Sequence, residues 1–178
     1  MTLGYVEDLT AKYFMKKGYL VNQNVWFQVP KELSGKGVAG WSDIDVFALA
    51  PGESLVIQCK SFIGTEKAEI VSQKIIRWFE YATDFLQKDD MYRHWIQGTK
   101  MRKILVVDWT VKKAEEILKA NDIEILYYDD LLKKLIKLLK KGEKRKGKED
   151  DPTLRMLCAM IDKGIINKKI LKGNEKTN

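Results

Sequence analysis

An α/β fold, with a mixed β-sheet flanked by helices, is predicted by three observations. The chain opens on a helical apolar period that stops at a glycine. Two apolar runs then follow, joined by only the four residues P-G-E-S, Pro51 to Ser54, which carry hairpin turn chemistry. Further on, Lys103–Trp109 (K-I-L-V-V-D-W) is almost continuously apolar, as expected of a parallel strand buried on both faces.

Taken in order, Thr2–Lys17 reads as a helix whose apolar face holds Val6, Leu9, Ala11, Tyr13 and Phe14, closed by Gly18. Tyr19–Val29 reads as a strand in which Val25, Phe27 and Val29 alternate, and Lys31–Gly40 as a glycine-rich loop. The hairpin pairs Ser42–Ala50 with Leu55–Phe62. Glu66–Leu86 is a long amphipathic helix, with Ile70, Gln73, Ile76, Phe79 and Phe85 at helical spacing. After the buried strand come a helix at Val111–Ala120, a strand at Ile123–Tyr128 and a helix at Asp130–Lys141, giving the order αβββαβαβα. The domain therefore runs over 1–141. Residues 142–150 (G-E-K-R-K-G-K-E-D) form a charged linker, and 151–178 a small helical appendage that opens on the start signal Asp151–Pro152. In the appendage Leu154, Leu157, Cys158 and Ile161 make an apolar stripe ended by Gly164, and Ile165–Leu171 adds a short second element.

Composition narrows the function. With 178 residues, 45% hydrophobic and 32% charged, the chain suits one domain with an appendage. No apolar stretch approaches a membrane span, and the N-terminus lacks the pattern of a signal peptide, so a cytoplasmic protein without a membrane partner is expected. The two cysteines, Cys59 and Cys158, form no zinc-ligand spacing and no disulfide framework. A net charge of +7 favours a polyanionic partner. Lysine greatly outnumbers arginine, and the Lys-, Glu- and Ile-rich balance is of the thermophilic kind.

The chemistry lies in the hairpin. Strand side chains alternate faces, so Asp43 and Asp45 are expected on one face, and Gln58 with Lys60 on one face, while Cys59 points to the core. Bringing the two strands together lets a carboxylate, an amide and an ammonium converge. The spacing D-x(12)-Q-x-K, preceded by the segment G-x-x-E-x-x-x-A-x-x-F-x-x-x-G-Y from Gly4 to Tyr19, resembles the PD-(D/E)xK nuclease superfamily. The likeness is greatest to its archaeal Holliday-junction resolvase and Mrr-type branches. The element order also matches the αβββαβ core of that restriction endonuclease-like fold, over roughly Gly4 to Lys141.

The resemblance implies a Mg2+-dependent (or Mn2+-dependent) DNA endonuclease acting in restriction, repair or recombination. It makes Asp45 the principal metal ligand, Gln58 the occupant of the second acidic position, and the backbone carbonyl of Cys59 a further ligand. Lys60 orients or deprotonates the attacking water and offsets charge on the phosphate. Glu7, on the first helix, points toward the metal, and Asp43 reaches a second metal or a metal-bound water. Gln58 departs from the commonest form of the motif, since an amide is a neutral and weaker ligand. That departure keeps a second reading open, a nucleic-acid-binding protein on the same fold with weak or lost catalysis. D-x-D and Q-x-K would also suit any half-exposed hairpin, but the helix, the turn and the downstream order agree with the nuclease core. Cutting both strands of a duplex at once takes two such sites, which a homodimer would supply.

Other features carry less. Gly35–Gly40 (G-K-G-V-A-G) lacks the ending of a phosphate loop and precedes a strand, so it reads as a lip beside the site where Lys36 touches a DNA phosphate. Trp41 is the tryptophan placed to contact substrate, whereas Trp78 and Trp109 follow core spacing. Gln73 reads as the edge of the helical core. His94, the only histidine, sits in a polar loop-like stretch (M-Y-R-H-W), which leaves no triad.

Lys144, Arg145 and Lys146 lie in the densest basic cluster of the chain, with Glu149, Asp150 and Asp151 following at once. A segment that follows a DNA backbone gains from that separation of signs, because phosphate contacts release counterions. Replacing the three with Ala is expected to weaken DNA binding almost equally across sequences. It should also lower the log–log salt slope by about 0.9 per lost contact. Binding titrations across a salt series check this; affinity and slope equal to the parent would make the cluster a solvated tether.

Overall fold

The computed structural model describes residues 4–34, 38–63, 67–142 and 150–166. Lys36, Lys144, Arg145 and Lys146 lie outside the described residues. The chain forms two compact units, 1–131 and 132–178, with the boundary inside the sixth helix.

The first unit is built on a five-stranded mixed sheet in sequential order. Its strands are β1 (Leu20–Val29), β2 (Gly40–Ala50), β3 (Glu53–Ile63), β4 (Lys100–Thr110) and β5 (Ile123–Tyr127). The first three pair antiparallel, and β4 and β5 add in parallel. The β2–β3 turn is tight because Pro51 precedes Gly52 at φ +76°, an order that suits a type II turn.

Helices cover both faces. One core joins Val25, Phe27, Val29, Ile44, Phe47, Val56, Leu105 and Val107 to α3 (Ala68–Lys88), α4 (Asp90–Ile96) and α5 (Lys112–Lys119). The other joins Val46, Ala48, Leu55, Ile57, Cys59, Ile104 and Val106 to α1 (Gly4–Lys16) and to Leu131 at the start of α6 (Tyr128–Gly142). Helix α1 buries Val6, Leu9, Thr10, Ala11 and Phe14. It ends in a Schellman motif: Gly18, at φ +92°, donates to Met15 O at 2.9 Å and Tyr19 to Phe14 O at 3.1 Å. No helix among the described residues is long and apolar enough to cross a membrane.

In the second unit α7 (Pro152–Asp162) follows Asp151, whose carboxylate accepts from Leu154 N at 2.9 Å. Leu154 and Leu157 are buried, and Gly164, at φ +71°, follows the helix.

The elements expected from sequence are present among the described residues, with four corrections; the linker at 143–149 and the short second element beyond residue 166 lie outside them. The loop before β2 begins as a short helix, α2 (Lys31–Ser34), nucleated after Pro30. The M-Y-R-H-W stretch is helical, because Asp89 caps α4 by accepting from Met91 N and Tyr92 N, and His94 lies exposed on it. Ile70 and Gln73 are exposed. The buried face of α3 keeps Ile76 and Phe79 of the expected set and runs otherwise through Ser72, Ile75, Ala82 and Leu86. Trp109 is exposed, for it lies on β4 beyond the buried run Ile104–Val107. Trp78 is buried and donates from Nε1 to Ser42 Oγ at 2.9 Å.

Candidate functional site

The antiparallel register of β2 and β3 runs from Ala50↔Glu53 to Val46↔Ile57 and stops there. Continued by one step, it would set Asp45 against Gln58. The strands part instead, and Cys59 N–H donates to the Asp45 carboxylate at 2.5 Å. A side chain thus stands where a neighbouring strand's carbonyl would otherwise be. The N–H and C=O of one strand residue leave by the same edge, so the Cys59 carbonyl faces the same gap.

The alternation of β2 is interrupted at the same place. Ile44 and Phe47, three residues apart, both enter the α3 core, while Val46 enters the α1 core. Opposite, the β1 ladder skips Asn24, which adopts φ +53°, a conformation that asparagine tolerates better than most residues. Irregularities of this kind re-aim side chains beside functional sites. The expectation that Asp43 and Asp45 share a face rested on strict alternation and is corrected: Asp45 turns along the sheet toward β3. Gln58 and Lys60 do share a face, since they register with Leu105 and Val107 on the α3 side. Cys59 points the other way, into the α1 core, where its Sγ lies 3.8 Å from Thr10 Oγ1.

Electrostatics tie these groups together. Burial pushes the Asp45 carboxyl up to about 7. The Cys59 N–H opposes that rise, the charges of Glu7 and Asp43 add to it, and Lys60 opposes it. Burial lowers the Lys60 ammonium, against the pull of Asp45 and Asp43. Burial also raises the Cys59 thiol, so this cysteine is not a nucleophile. Glu7, Asp43 and Lys60 therefore all act on Asp45, from α1, β2 and β3.

Gln58 is 7% exposed, and its Oε1 is buried without a hydrogen-bond partner. An orphaned buried amide oxygen costs free energy unless a donor or a cation meets it. This is the observation against which a metal can be tested, and the oxygen set fits. Asp45, Gln58 Oε1 and the Cys59 carbonyl are hard oxygen donors of the kind Mg2+ takes. Among the described residues no group of three His, Cys, Asp or Glu side chains is arranged to hold an ion. The set named here has one acid, one amide and one backbone carbonyl, so it is not of that composition.

The expected substrate contact Trp41 is exposed, and so is Trp26, which the sequence reading passed over. Its signal was the alternation Val25, Phe27, Val29, which sends Trp26 to the opposite face. Elsewhere a hollow of about 640 Å3 between Leu20, Phe47, Leu49, Pro51 and Trp95 has no ionisable lining residue and offers no hydrolytic chemistry.

No family model matches the chain, and no curated protein matches it. Among solved structures it is similar to AF1548, a crystal structure described as a protein of unknown function. The two are 15% identical, the match covers 92% of this chain and 98% of that one, and the TM-score is 0.45. At that identity and score the likeness assigns no function.

A carboxyl raised on folding binds its proton more tightly in the folded state. Asp45 therefore contributes stability that is present at acid pH and is lost as pH rises from about 4 to about 7. Asp45→Asn keeps an acceptor for Cys59 N–H without the buried charge. In metal-free buffer the variant should be more stable than the parent above pH 7, on the order of 2–4 kcal/mol, with the advantage vanishing near pH 4. Urea denaturation at the two pH values checks this; equal midpoints at pH 8 would show that Asp45 carries no burial penalty.

Proposed function

We propose that the chain is a metal-dependent deoxyribonuclease of the PD-(D/E)xK type, hydrolysing internal phosphodiester bonds of DNA in restriction, repair or recombination. The observation that carries the reading is the orphaned Oε1 of Gln58, the β3 residue beside the point where β2 and β3 part, with Asp45 bonded to Cys59 N–H and Lys60 within its electrostatic reach.

In this reading Asp45, Gln58 Oε1 and the Cys59 carbonyl hold Mg2+ or Mn2+. The bound ion would supply charge to a phosphoryl oxygen and acidity to a water. The chain's own residues do the rest. Lys60, its ammonium lowered by burial, holds and passes a proton nearer neutral pH than an exposed lysine does. Its charge also meets the negative charge that grows on the phosphate. Asp43 and Glu7 add carboxylates at the margin that favour a cation. The net charge of +7 supports a polyanionic substrate.

A second reading is favoured by Gln58 itself. With an amide at the second acidic position, the site has one charge fewer, and the fold would bind DNA without cutting it.

Asp45→Ala and Lys60→Ala should each lower metal-dependent cleavage of plasmid, single-stranded and branched DNA by about 10²–10⁴-fold, with the circular dichroism spectrum intact. Full activity in either variant removes the assignment. Gln58→Glu should reduce the Mg2+ and Mn2+ concentrations needed for half-maximal thermal stabilisation, because it adds a charged oxygen donor. A metal response identical to the parent's puts residue 58 outside the ligand shell.

A further inference from the structure

Beside the gap, β1 and β2 continue as a two-stranded ribbon whose α1-side face is left open. Val25, Phe27 and Val29 enter the α3 core, so Trp26 and Gln28 point to the other face. Residues opposite each other in an antiparallel ladder share a face. Trp26 stands opposite Asp43, and Gln28 opposite Trp41. The two indoles are therefore diagonal neighbours on one face, with α-carbons about 7–8 Å apart, and Asp43 lies beside them. They are 58% and 64% exposed, although Trp is among the side chains with most to gain from burial. A ladder that buries three apolar residues on one side and leaves two tryptophans in water on the other has a surface in need of an occupant.

We propose that Trp26 and Trp41 are a stacking platform for the unpaired bases of a single-stranded DNA segment, which they hold beside Asp43 at the margin of the site. The inference deepens the nuclease reading and rests on it for the identity of the polymer. Three observations select this occupant. The rings flank Asp43, an acid of the candidate site whose charge acts on Asp45 two residues further along β2. The chain is basic at +7, which complements a phosphate backbone. The platform itself offers flat faces and an amide, Gln28, which is the combination that holds bases without regard to sequence. Duplex bases present only their edges in the grooves, since their faces are covered by neighbours. A flat ring on a sheet surface can use only a base that has left the stack. The α-carbon spacing of the two positions is about twice the 3.4 Å rise along a stacked strand, which suits an extended segment with one base on each indole. The substrate class is therefore DNA with an unpaired stretch, such as a fork, a flap or a single strand.

The test is binding by the full chain in EDTA, where no cleavage occurs, followed by fluorescence anisotropy. The probes are a labelled single strand, the matching duplex and a fork with one unpaired arm. The parent should prefer the single strand and the fork. Trp26→Ala with Trp41→Ala should weaken both by about tenfold or more and leave the duplex unchanged, whereas replacement of both by Phe should restore most of the affinity. A parent that does not bind single strands overturns the proposal, as does an alanine variant with undiminished affinity. Equal losses on single strand and duplex also overturn it. Cleavage assays separate this outcome from the nuclease reading. Ring-dependent binding without metal-dependent cleavage leaves the platform standing and removes the nuclease, while cleavage with ring-independent binding does the reverse.

Discussion

Where β2 and β3 stop pairing governs what the rest of this molecule can do. Past Val46↔Ile57 the Cys59 amide has lost its strand partner, and a buried amide must find another. Asp45 supplies it. One hydrogen bond therefore fixes the carboxylate along the plane of the sheet, carries it out of water and turns the Cys59 carbonyl into the same gap. The left-handed Asn24 and the switch of faces between Ile44 and Phe47 are the backbone adjustments that allow it. Had the ladder and its alternation continued, Asp45 would have shared the face of Phe47, toward the α3 core, with no call on the Cys59 amide.

The arrangement is unfavourable by itself, and the surrounding packing has to carry it. Asp45 is held against its own ionisation, Gln58 Oε1 is buried without a partner, and Lys60 has lost solvation. Each would be relieved by exposure. None can be exposed while the strands are clamped from both sides. Ile57 and Cys59 are anchored in the α1 core, and Val56, Leu105 and Val107 in the α3 core. Residues in one strand that alternate between two cores cannot rotate together, which makes the gap stiff. Stored local cost inside a well-packed frame is the usual signature of a binding or catalytic site.

Much of this was legible from residue order, and what was not has identifiable causes. Period-two and helical patterns located the five strands, and the motif residues fell on the strands expected. Alternation failed only at Asp45, because an irregular backbone position opposite Asn24 is set by pairing between strands and leaves no trace in either strand's own pattern. The face of α3 was misread through Ile70, an apolar residue that ends up half exposed, whereas the small polar Ser72 is buried. Burial of α3 follows contact with the sheet, which ranks position above hydropathy. The helical character of His94 and its neighbours depended on the cap at Asp89, a signal present in the sequence but weaker than the polarity around it. Trp26 was missed for a simpler reason: it became conspicuous only when the register set it opposite Asp43.

The distribution of charge gives the proposed chemistry its last constraint. The chain as a whole is basic, so a polyanion is drawn toward it at long range. At short range a polyanion would meet the carboxyl groups of Glu7, Asp43 and Asp45, and Lys60 opposes the effect of the other two on Asp45. A phosphate cannot approach three carboxylates closely unless a proton or a cation intervenes. A proton at Asp45 would satisfy the charge but would leave Gln58 Oε1 still orphaned, because the carboxyl is engaged with Cys59 N–H. In the proposed reading a divalent ion would answer both needs, with the Asp45 carboxylate and Gln58 Oε1 as the residues that hold it. In that reading the residues that make the arrangement costly are the ones that would give a cation its differential affinity for the folded state. That coupling would tie binding of the ion to stability of the fold.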